Sequence, residues 1–575
     1  MPVHNEDVAA VFDEIADLLE IEEANPFRVR AYRTAARNIR GLDRELAQMV
    51  AADEDLTQLP GIGRDLAAKI KEIITTGHAA ALDQLHKEVP ASLEALLKIP
   101  GLGPKRVKTL YQDLHIKTLK QLEQAAKRGL LQTLPGFGAK TAQRILDTLA
   151  AHRGEEKRFL HRTARNSAEP LVAYLKSAPG VSEVVVAGSY RRGKDTVGDL
   201  DILATASNGD AVMQHFVEYD EVHDVVSRGS TRSTVYLRNG MQVDLRVVEQ
   251  KSFGAALQYF TGSKAHNIQL RRLGQQRGLK INEYGVFKGE RRVAGDTEVS
   301  VYKTLGLPLI APELREGRGE IEAARNKKLP RLITLDDLQG DLHVHSHATD
   351  GNASIEEMAQ AAKQFGLKYI AITDHSQHLT LVHGLDEKRL NKQIEEIDRL
   401  NERLKGITIL KGTEVDILED GQLDLPDRVL ARLDLVIGAV HSKFQLSRRK
   451  QTDRILRAMD SKYFTILAHP SCRLLGQRDA IDINVPRIIK AARQRGCYLE
   501  LNSQPERMDL AETQCQAARE QQVLISINSD GHSTAQFDYL QGGIEQARRG
   551  WLEKADVLNT RPLGELRKRL KATMG

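Results

Sequence analysis

Cysteine is scarce: 575 residues hold three, Cys472, Cys497 and Cys515. So few cannot build a disulfide framework, which argues for a reducing compartment. Long apolar runs are missing as well. No stretch reaches the roughly 18 residues that a membrane-spanning helix needs, so no membrane association is expected. The opening residues Met1–Asp7 are acidic and lack an apolar core, so they are not expected to act as a secretion signal and a cytoplasmic protein is expected. Nor does one sign of charge dominate. The formal net charge is +5, but residues 101–150 alone carry nine Lys and Arg against three Asp and Glu. A concentrated basic stretch in an otherwise balanced chain points to a polyanionic partner. The length predicts roughly four domains.

What the chain does have, near its start, is helical periodicity. Val8, Val11, Phe12, Ile15, Leu18 and Leu19 recur at spacings of three and four, and a second helix follows Asn25-Pro26-Phe27 through Tyr32 and Ile39. One turn then appears three times: Leu59-Pro60-Gly61-Ile62-Gly63, Ile99-Pro100-Gly101-Leu102-Gly103 and Leu134-Pro135-Gly136-Phe137-Gly138. Each precedes a helical stretch carrying basic residues, among them Lys69, Lys105, Arg106 and Lys140. The glycines permit positive φ and close approach of a phosphate, and the N–H groups of the following helix point toward it. This pattern resembles the helix-hairpin-helix, a grip on the DNA backbone that ignores sequence. The resemblance implies DNA contacts at Gly61, Gly63, Gly101, Gly103, Lys105, Gly136, Gly138 and Lys140.

The stretch around which the chain is organised is Gly188-Ser189-Tyr190-Arg191-Arg192-Gly193, followed by Gly198-Asp199-Leu200-Asp201. The run Val184–Ala187 before it reads as a buried strand. If Asp199 and Asp201 lie on a strand, both carboxylates face one way. Such a pair repels unless a cation lies between, and a hard divalent ion suits carboxylate and phosphate oxygens. Asp244, in the alternating segment Gln242–Val248, supplies a third carboxylate from a strand that can pair beside them.

Together these segments resemble the nucleotidyltransferases and, among them, the family X DNA polymerases. The resemblance implies that Asp199, Asp201 and Asp244 hold two Mg²⁺ or Mn²⁺ ions, one activating the primer 3′ oxygen and one binding the incoming triphosphate. It places Gly188, Ser189, Arg192 and Gly198 around the nucleotide, with Ser189 and Arg192 on the β and γ phosphates and Arg191 structural. Tyr259-Phe260-Thr261-Gly262 resembles the turn that senses the sugar, so Tyr259, Phe260 and Gly262 join the nucleotide-binding set. Asn267 and Arg271, one helical turn apart, match minor-groove contacts to the nascent pair. Family members carry an N-terminal lyase domain whose Schiff-base lysine corresponds to Lys69 and whose active-site tyrosine corresponds to Tyr32. Asp65 stands where lyase-active relatives have a lysine, a departure from the pattern.

The remaining chain carries a second constellation. His343 and His345 sit two apart, Asp350 follows, and apolar strands then end at His375, Glu414, His441, His469, and Asp530 with His532. Strand–helix alternation with polar residues at strand C-termini describes a parallel β/α barrel with its site at that end. Counting Tyr498–Asn502 gives seven strands. Histidine and carboxylate donors without cysteine suit Zn²⁺, Mn²⁺ or Fe²⁺, and nine donors call for about three ions, with Glu414 bridging. This part resembles the PHP phosphoesterases, which implies phosphoester hydrolysis by metal-activated water, a 3′-5′ exonuclease when joined to a polymerase, and in some members cleavage at abasic sites.

The expected architecture is therefore multidomain: a helical helix-hairpin-helix N-terminal region, an α+β nucleotidyltransferase palm and thumb, and a C-terminal (β/α)7 PHP barrel. Expected boundaries are 1–85 (lyase-like, first hairpin), 86–155 (fingers, two further hairpins), 156–250 (palm), 251–317 (thumb), 318–340 (a surface linker) and 341–575 (PHP). The expected activity is short-gap repair synthesis plus 3′ trimming, on gapped or primed double-stranded DNA with dNTPs, by a monomer. Two other readings stand beside it: a PHP nuclease or phosphatase carrying an inactive polymerase module, and a non-enzymatic scaffold for DNA ends.

Overall fold

The computed structural model describes residues 5–22, 24–40, 42, 44–88, 93, 96, 102–134, 137, 138, 141, 145 and 158–573. Gly101, Gly136, Lys140 and all but Thr141 and Ile145 of the helix expected after the third Pro-Gly turn lie outside the described residues. The chain divides into two compact units. One comprises Met1–Glu156 with Asp350–Met358 and His532–Gln536; the other comprises Lys157–Thr349, Ala359–Gly531 and Phe537–Gly575.

In the first unit, α1 (Asn5–Ile21) and α2 (Pro26–Arg40) form an antiparallel pair. The apolar spacing seen in the sequence buries Val8, Phe12, Ile15 and Leu19 against Tyr32, Ala36 and Ile39. Pro26 opens α2, where its missing N–H costs nothing. Helix α3 (Arg64–Thr76) follows the first Pro-Gly turn and ends at Gly77 in the left-handed region. Helix α4 (Pro104–Leu114) follows the second turn, and α5 (Leu119–Lys127) opens on a capping box between Thr118 and Gln121.

The second unit begins with α6 (His161–Lys176), packed on a five-stranded mixed sheet. Its strands are β1 (Val181–Val186), β2 (Asp199–Ala206), β3 (Val222–Arg228), β4 (Arg232–Leu237) and β5 (Gln242–Val247), in the order β1-β2-β5-β4-β3. Strands β2 and β5 run parallel and all other pairs are antiparallel. The one-turn helix α7 (Gly188–Arg191) follows β1 directly. Helices α8 (Phe253–Thr261) and α9 (Lys264–Gln275) lead to a small antiparallel sheet of β6 (Lys280–Asn282), β7 (Gly285–Lys288) and β8 (Arg291–Ala294). The segment 318–340, expected as a surface linker, is part of the core: Ile321, Ala324, Ile333 and Leu338 are buried. Its Pro and Gly punctuation masked four inward-facing apolar positions.

Parallel strands then follow: β9 (Gly340–Val344), β10 (Tyr369–Ile372), β11 (Thr408–Lys411), β12 (Glu414–Asp416), β13 (Ile437–Ala439), β14 (Ile466–Leu467), β15 (Tyr498–Asn502) and β16 (Ile525–Asn528). They form one ladder of three and one of five. Strands β11 and β12 are the two pieces of a single expected strand, interrupted at Gly412-Thr413, so the seven expected strands are all present. Parallel bridges Val344–Gly531 and His375–Glu414 link the two ladders. Helices such as Glu387–Arg403, Val485–Arg495 and α10 (Leu540–Arg549) alternate with the strands. All three cysteines are buried and free. Among the described residues no helix is long and apolar enough to cross a membrane.

Two candidate metal centres

Strand β2 carries Asp199 and Asp201 on one face, and the parallel register sets Asp201 directly opposite Asp244 on β5. Their carboxylate oxygens lie within 4.8 Å of one another. Burial and the neighbouring charges of Asp199 and Asp244 push Asp201 up to about 7. Asp244 goes the other way despite its burial. Thr234 Oγ1 donates to it at 2.6 Å, Gln242 Nε2 at 2.9 Å and Arg232 Nη2 at 3.1 Å, and these hold it below the usual carboxylate range. One acid of the trio is thus fixed as an anion and another resists ionising, an imbalance that a cation would relieve.

Gly188 explains why the loop before β2 must be glycine. Its φ is +63°, and an added Cβ would fall 2.7 Å from Asp201 Oδ2. Gly188→Ala should combine left-handed strain of about 1 kcal/mol with displacement of the Asp201 carboxylate. The expected result is a lower melting temperature and a larger loss of nucleotide incorporation than the melt alone explains. Ser189 and Arg192 sit in and just after the one-turn helix α7, beside this site. Arg191 spans to Glu298 with Nη1 and Nη2, at 3.0 and 2.7 Å.

Tyr259 and Phe260 meet edge to face, 5.0 Å between ring centroids. Arg271 lies over Tyr259 and Arg246 over Phe260. Asn267 is turned inward: its Nδ2 donates to the Tyr259 carbonyl at 2.7 Å and its Oδ1 accepts from Gln258 at 2.9 Å. Here Asn267 braces the turn rather than presenting its amide outward. A Cβ on Gly262 would collide with Asn267 Oδ1 at 2.7 Å, so the same brace dictates glycine there.

In the barrel, Glu414 is the hub. Five imidazoles surround its buried carboxylate: His375 Nδ1 at 2.8 Å, His469 Nε2 at 2.8 Å, His441 Nε2 at 3.3 Å, His343 Nε2 at 3.5 Å and His345 Nε2 at 3.7 Å. Asp530 lies 3.1 Å from His345 and 3.5 Å from His343. Two trios, His343–His345–Asp530 and His375–Glu414–His441, bring donor atoms within 4.8 Å. Separations near 3.5 Å are long for hydrogen bonds but match donors sharing an ion bound at about 2.0–2.2 Å. Buried His343 Nε2 and His469 Nδ1 have no hydrogen-bond partner among the described residues. These donors therefore fit metal ions. Asp350 and His532 meet one another at 3.3 Å on the two short segments that group with the first unit.

The electrostatics of this cluster are those of a cation site. Burial opposes ionisation of Glu414, yet the surrounding imidazoles hold it well below the usual range. Burial likewise opposes charge on His343, but Glu500, Asp530 and Glu414 raise it well above an ordinary histidine.

Sequence reasoning missed the residues that orient these donors. Glu500 Oε1 lies 2.7 Å from His343 Nδ1, and its other oxygen accepts the His469 N–H at 2.7 Å. Asp416 Oδ1 lies 3.2 Å from His441 Nδ1. A carboxylate behind a ligating histidine fixes its tautomer and orientation. The signal was present: Glu500 interrupts the apolar strand Tyr498–Asn502 with a charge, and it is fully buried. Arg232 and Thr234 were missed because their partner is visible only once β4 and β5 pair; Gln242, two residues before Asp244 on the same strand, could have been found from alternation alone.

In the first unit, Gly63 and Gly103 are the residues immediately before α3 and α4. A Cβ at Gly63, Gly103 or Gly138 would meet nothing within 4 Å. Packing does not require glycine there, and the backbone is open to a ligand. Gly61 differs, with φ +71° and Asn38 Nδ2 only 2.9 Å from an added Cβ. Lys69 is largely covered, its side chain 16% exposed, and forms an ion pair with the exposed Asp65 one turn earlier. Tyr32 is buried against Phe12, with ring centroids 5.3 Å apart, and belongs to the helical core.

The chain matches the helix-hairpin-helix domain over residues 3–79 and the SAM-like helix-hairpin-helix tandem over 93–151. It matches the DNA polymerase beta palm over 162–273, the DNA polymerase beta thumb over 256–316 and the PHP domain over 341–504. It is 38% identical to DNA polymerase/3'-5' exonuclease PolX of Bacillus subtilis (strain 168), over 99% of this chain and 100% of that one. DNA polymerase lambda of Rattus norvegicus is 28% identical over 46% of this chain and 49% of its own. A probable phosphatase of Thermoanaerobacter sp. (strain X514) is 28% identical over 40% of this chain and 94% of its own.

Proposed function

We propose, on the premise that this chain belongs to the bacterial family X DNA polymerases with a C-terminal PHP domain, that it fills short gaps in DNA and trims 3′ ends. The observation that carries the synthetic half is the trio Asp199, Asp201 and Asp244. Three carboxylates converge from adjacent parallel strands, and one of them is pushed to about 7. We assign two Mg²⁺ or Mn²⁺ ions to this trio. About three ions of Zn²⁺, Mn²⁺ or Fe²⁺ are assigned to the barrel's His and carboxylate donors, with Asp350 and His532 kept in the nine-donor set on the strength of the sequence. When bound, such ions polarise phosphoryl oxygens and favour deprotonation of the attacking oxygen.

The chain's own residues do the positioning. Ser189 and the N–H groups of α7 face the triphosphate, and Arg192 balances its charge. Tyr259 and Phe260 form an aromatic wall for the sugar. The open turns at Gly63, Gly103 and Gly138 admit the DNA backbone without reading bases. In the barrel, Glu414 gathers the imidazoles, while Glu500 and Asp416 hold two of them in register. Monomeric, cytoplasmic protein is part of this reading.

The test is a gapped duplex with a labelled primer, incubated with Mg²⁺ or Mn²⁺. Asp199→Ala should abolish extension and leave 3′ degradation, and His345→Ala should do the opposite. Loss of both activities in either variant, with an unchanged melt, would mean a single shared centre.

A further inference from the structure

Arg192 is held from the far end of the chain. Its Nε donates to Glu316 Oε1 at 2.9 Å, and its Nη1 donates to the Thr261 carbonyl at 2.8 Å. Glu316 is shared. Arg549, at the end of α10, donates from Nη1 to the same Glu316 oxygen at 2.9 Å and to the Arg192 carbonyl at 3.1 Å. Its Nη2 donates to Glu512 at 2.6 Å. Arg549 is 1% exposed, so this is an interior joint and not a surface ion pair. Burial raises the Glu316 acid, but Arg192 and Arg549 outweigh it and bring it down to about 2.

A second contact on the same helix points the same way. Gly193, next to Arg192, has φ +64°, and an added Cβ would sit 3.2 Å from Glu545 Cβ on α10. Glu545 in turn takes Arg165 and His161 from α6. Helix α10 therefore presses against the Arg192–Gly193 turn through the side chains of Glu545 and Arg549. It also packs against the C-terminal metal-bearing region, where an added Cβ on Gly543 would collide with Ser503 and Ile527.

We infer that Arg549 and Glu316 are positioning residues for Arg192, through which the C-terminal half sets the polymerase half's affinity for nucleoside triphosphate. This rests on the reading of Arg192 as a β,γ-phosphate contact. Glu316 and Thr261 occupy Nε and Nη1, and Nη2 has no protein partner among the described residues, so it remains for a phosphate oxygen. A guanidinium already fixed at two of its three nitrogens loses little further freedom on binding. Arg549 also offsets Glu316, which would otherwise compete with the triphosphate for Arg192.

The experiment measures single-nucleotide incorporation on gapped DNA by the full chain. Arg549→Met should raise KM for dNTP about tenfold, equivalent to about 1.4 kcal/mol, with kcat changed less than about twofold. Degradation of a 3′ end should be unchanged, which reports a folded protein; should Arg549→Met not fold, Arg549→Lys carries the test. The deciding measurement is a double-mutant cycle. In an Arg192→Ala background, losing Arg549 should raise KM no further. Additive effects, or an unchanged KM in Arg549→Met, overturn the inference. Should Arg192→Ala itself leave KM unchanged, the underlying assignment of Arg192 fails instead.

Discussion

Asp201→Asn should lower primer extension by about a thousandfold or more, as expected when a ligand contributing several kcal/mol of transition-state charge stabilisation is lost. It should also make the metal-free protein more stable at pH 8. The folded-state value for Asp201 is about 7, against 3.8 in an unfolded chain. A carboxyl raised on folding stabilises the folded state fully below about pH 4, and that contribution is lost as pH climbs through about 7. Above that, the wild type carries an anion that burial, Asp199 and Asp244 all oppose. Asparagine keeps the shape and removes the charge. Melts in a chelator at several pH values should therefore show matching stabilities for the two proteins near pH 4. A gap favouring the variant should open to as much as about 4 kcal/mol by pH 8, three pKa units' worth. Saturating Mg²⁺ should close that gap by stabilising the wild type alone. A variant equally active, or a gap that narrows with rising pH, would show that Asp201 is not part of a cation site.

That the acid trio could be named from sequence owes to spacing. Asp199 and Asp201 alternate with Leu200 and Ile202, and both apolar partners are fully buried behind them. Most of the barrel donors were legible for a similar reason: they lie on or at the end of an apolar run, and parallel strands deliver their C-termini to one end. What spacing cannot carry is the second layer of contacts. Glu500 reaches His343 from a strand 157 positions away, and Arg549 reaches Glu316 across 233. No local pattern encodes such pairs. The sequence did offer one general warning, a charge embedded in an apolar strand, and Glu500 fits it. Arg549 gave none, because it ends an amphipathic helix where a basic residue is ordinary. The 318–340 segment misled in the opposite sense. Its Gly and Pro content reads as linker, yet Arg315 and Glu320, flanking its start, are fully buried and paired with Glu298 and His266.

Glu414→Gln is expected to be the most damaging single change in the barrel. The carboxylate touches five imidazoles between 2.8 and 3.7 Å, so its charge is the common counterweight for both donor trios. An amide of the same shape offers one neutral oxygen and a nitrogen that points a hydrogen at a histidine. Bound metal per chain, measured on protein purified without added ions, should fall toward zero, and 3′ degradation should fall about a thousandfold, the scale of removing a metal's charge stabilisation. Extension of a gapped primer should stay within about threefold, because Asp199, Asp201 and Asp244 lie in a separate sheet and sites that share no partner act nearly additively. Glu500→Gln provides the graded comparison. Glu500 orients His343 and the His469 backbone, and losing such an outer partner costs about 10- to 100-fold in affinity or activity. The order Glu414→Gln far below Glu500→Gln, with both extending primers normally, is what a hub and its brace predict. A Glu414→Gln protein that kept its metal and its nuclease would move the hub elsewhere, and the barrel's five converging imidazoles would need another explanation.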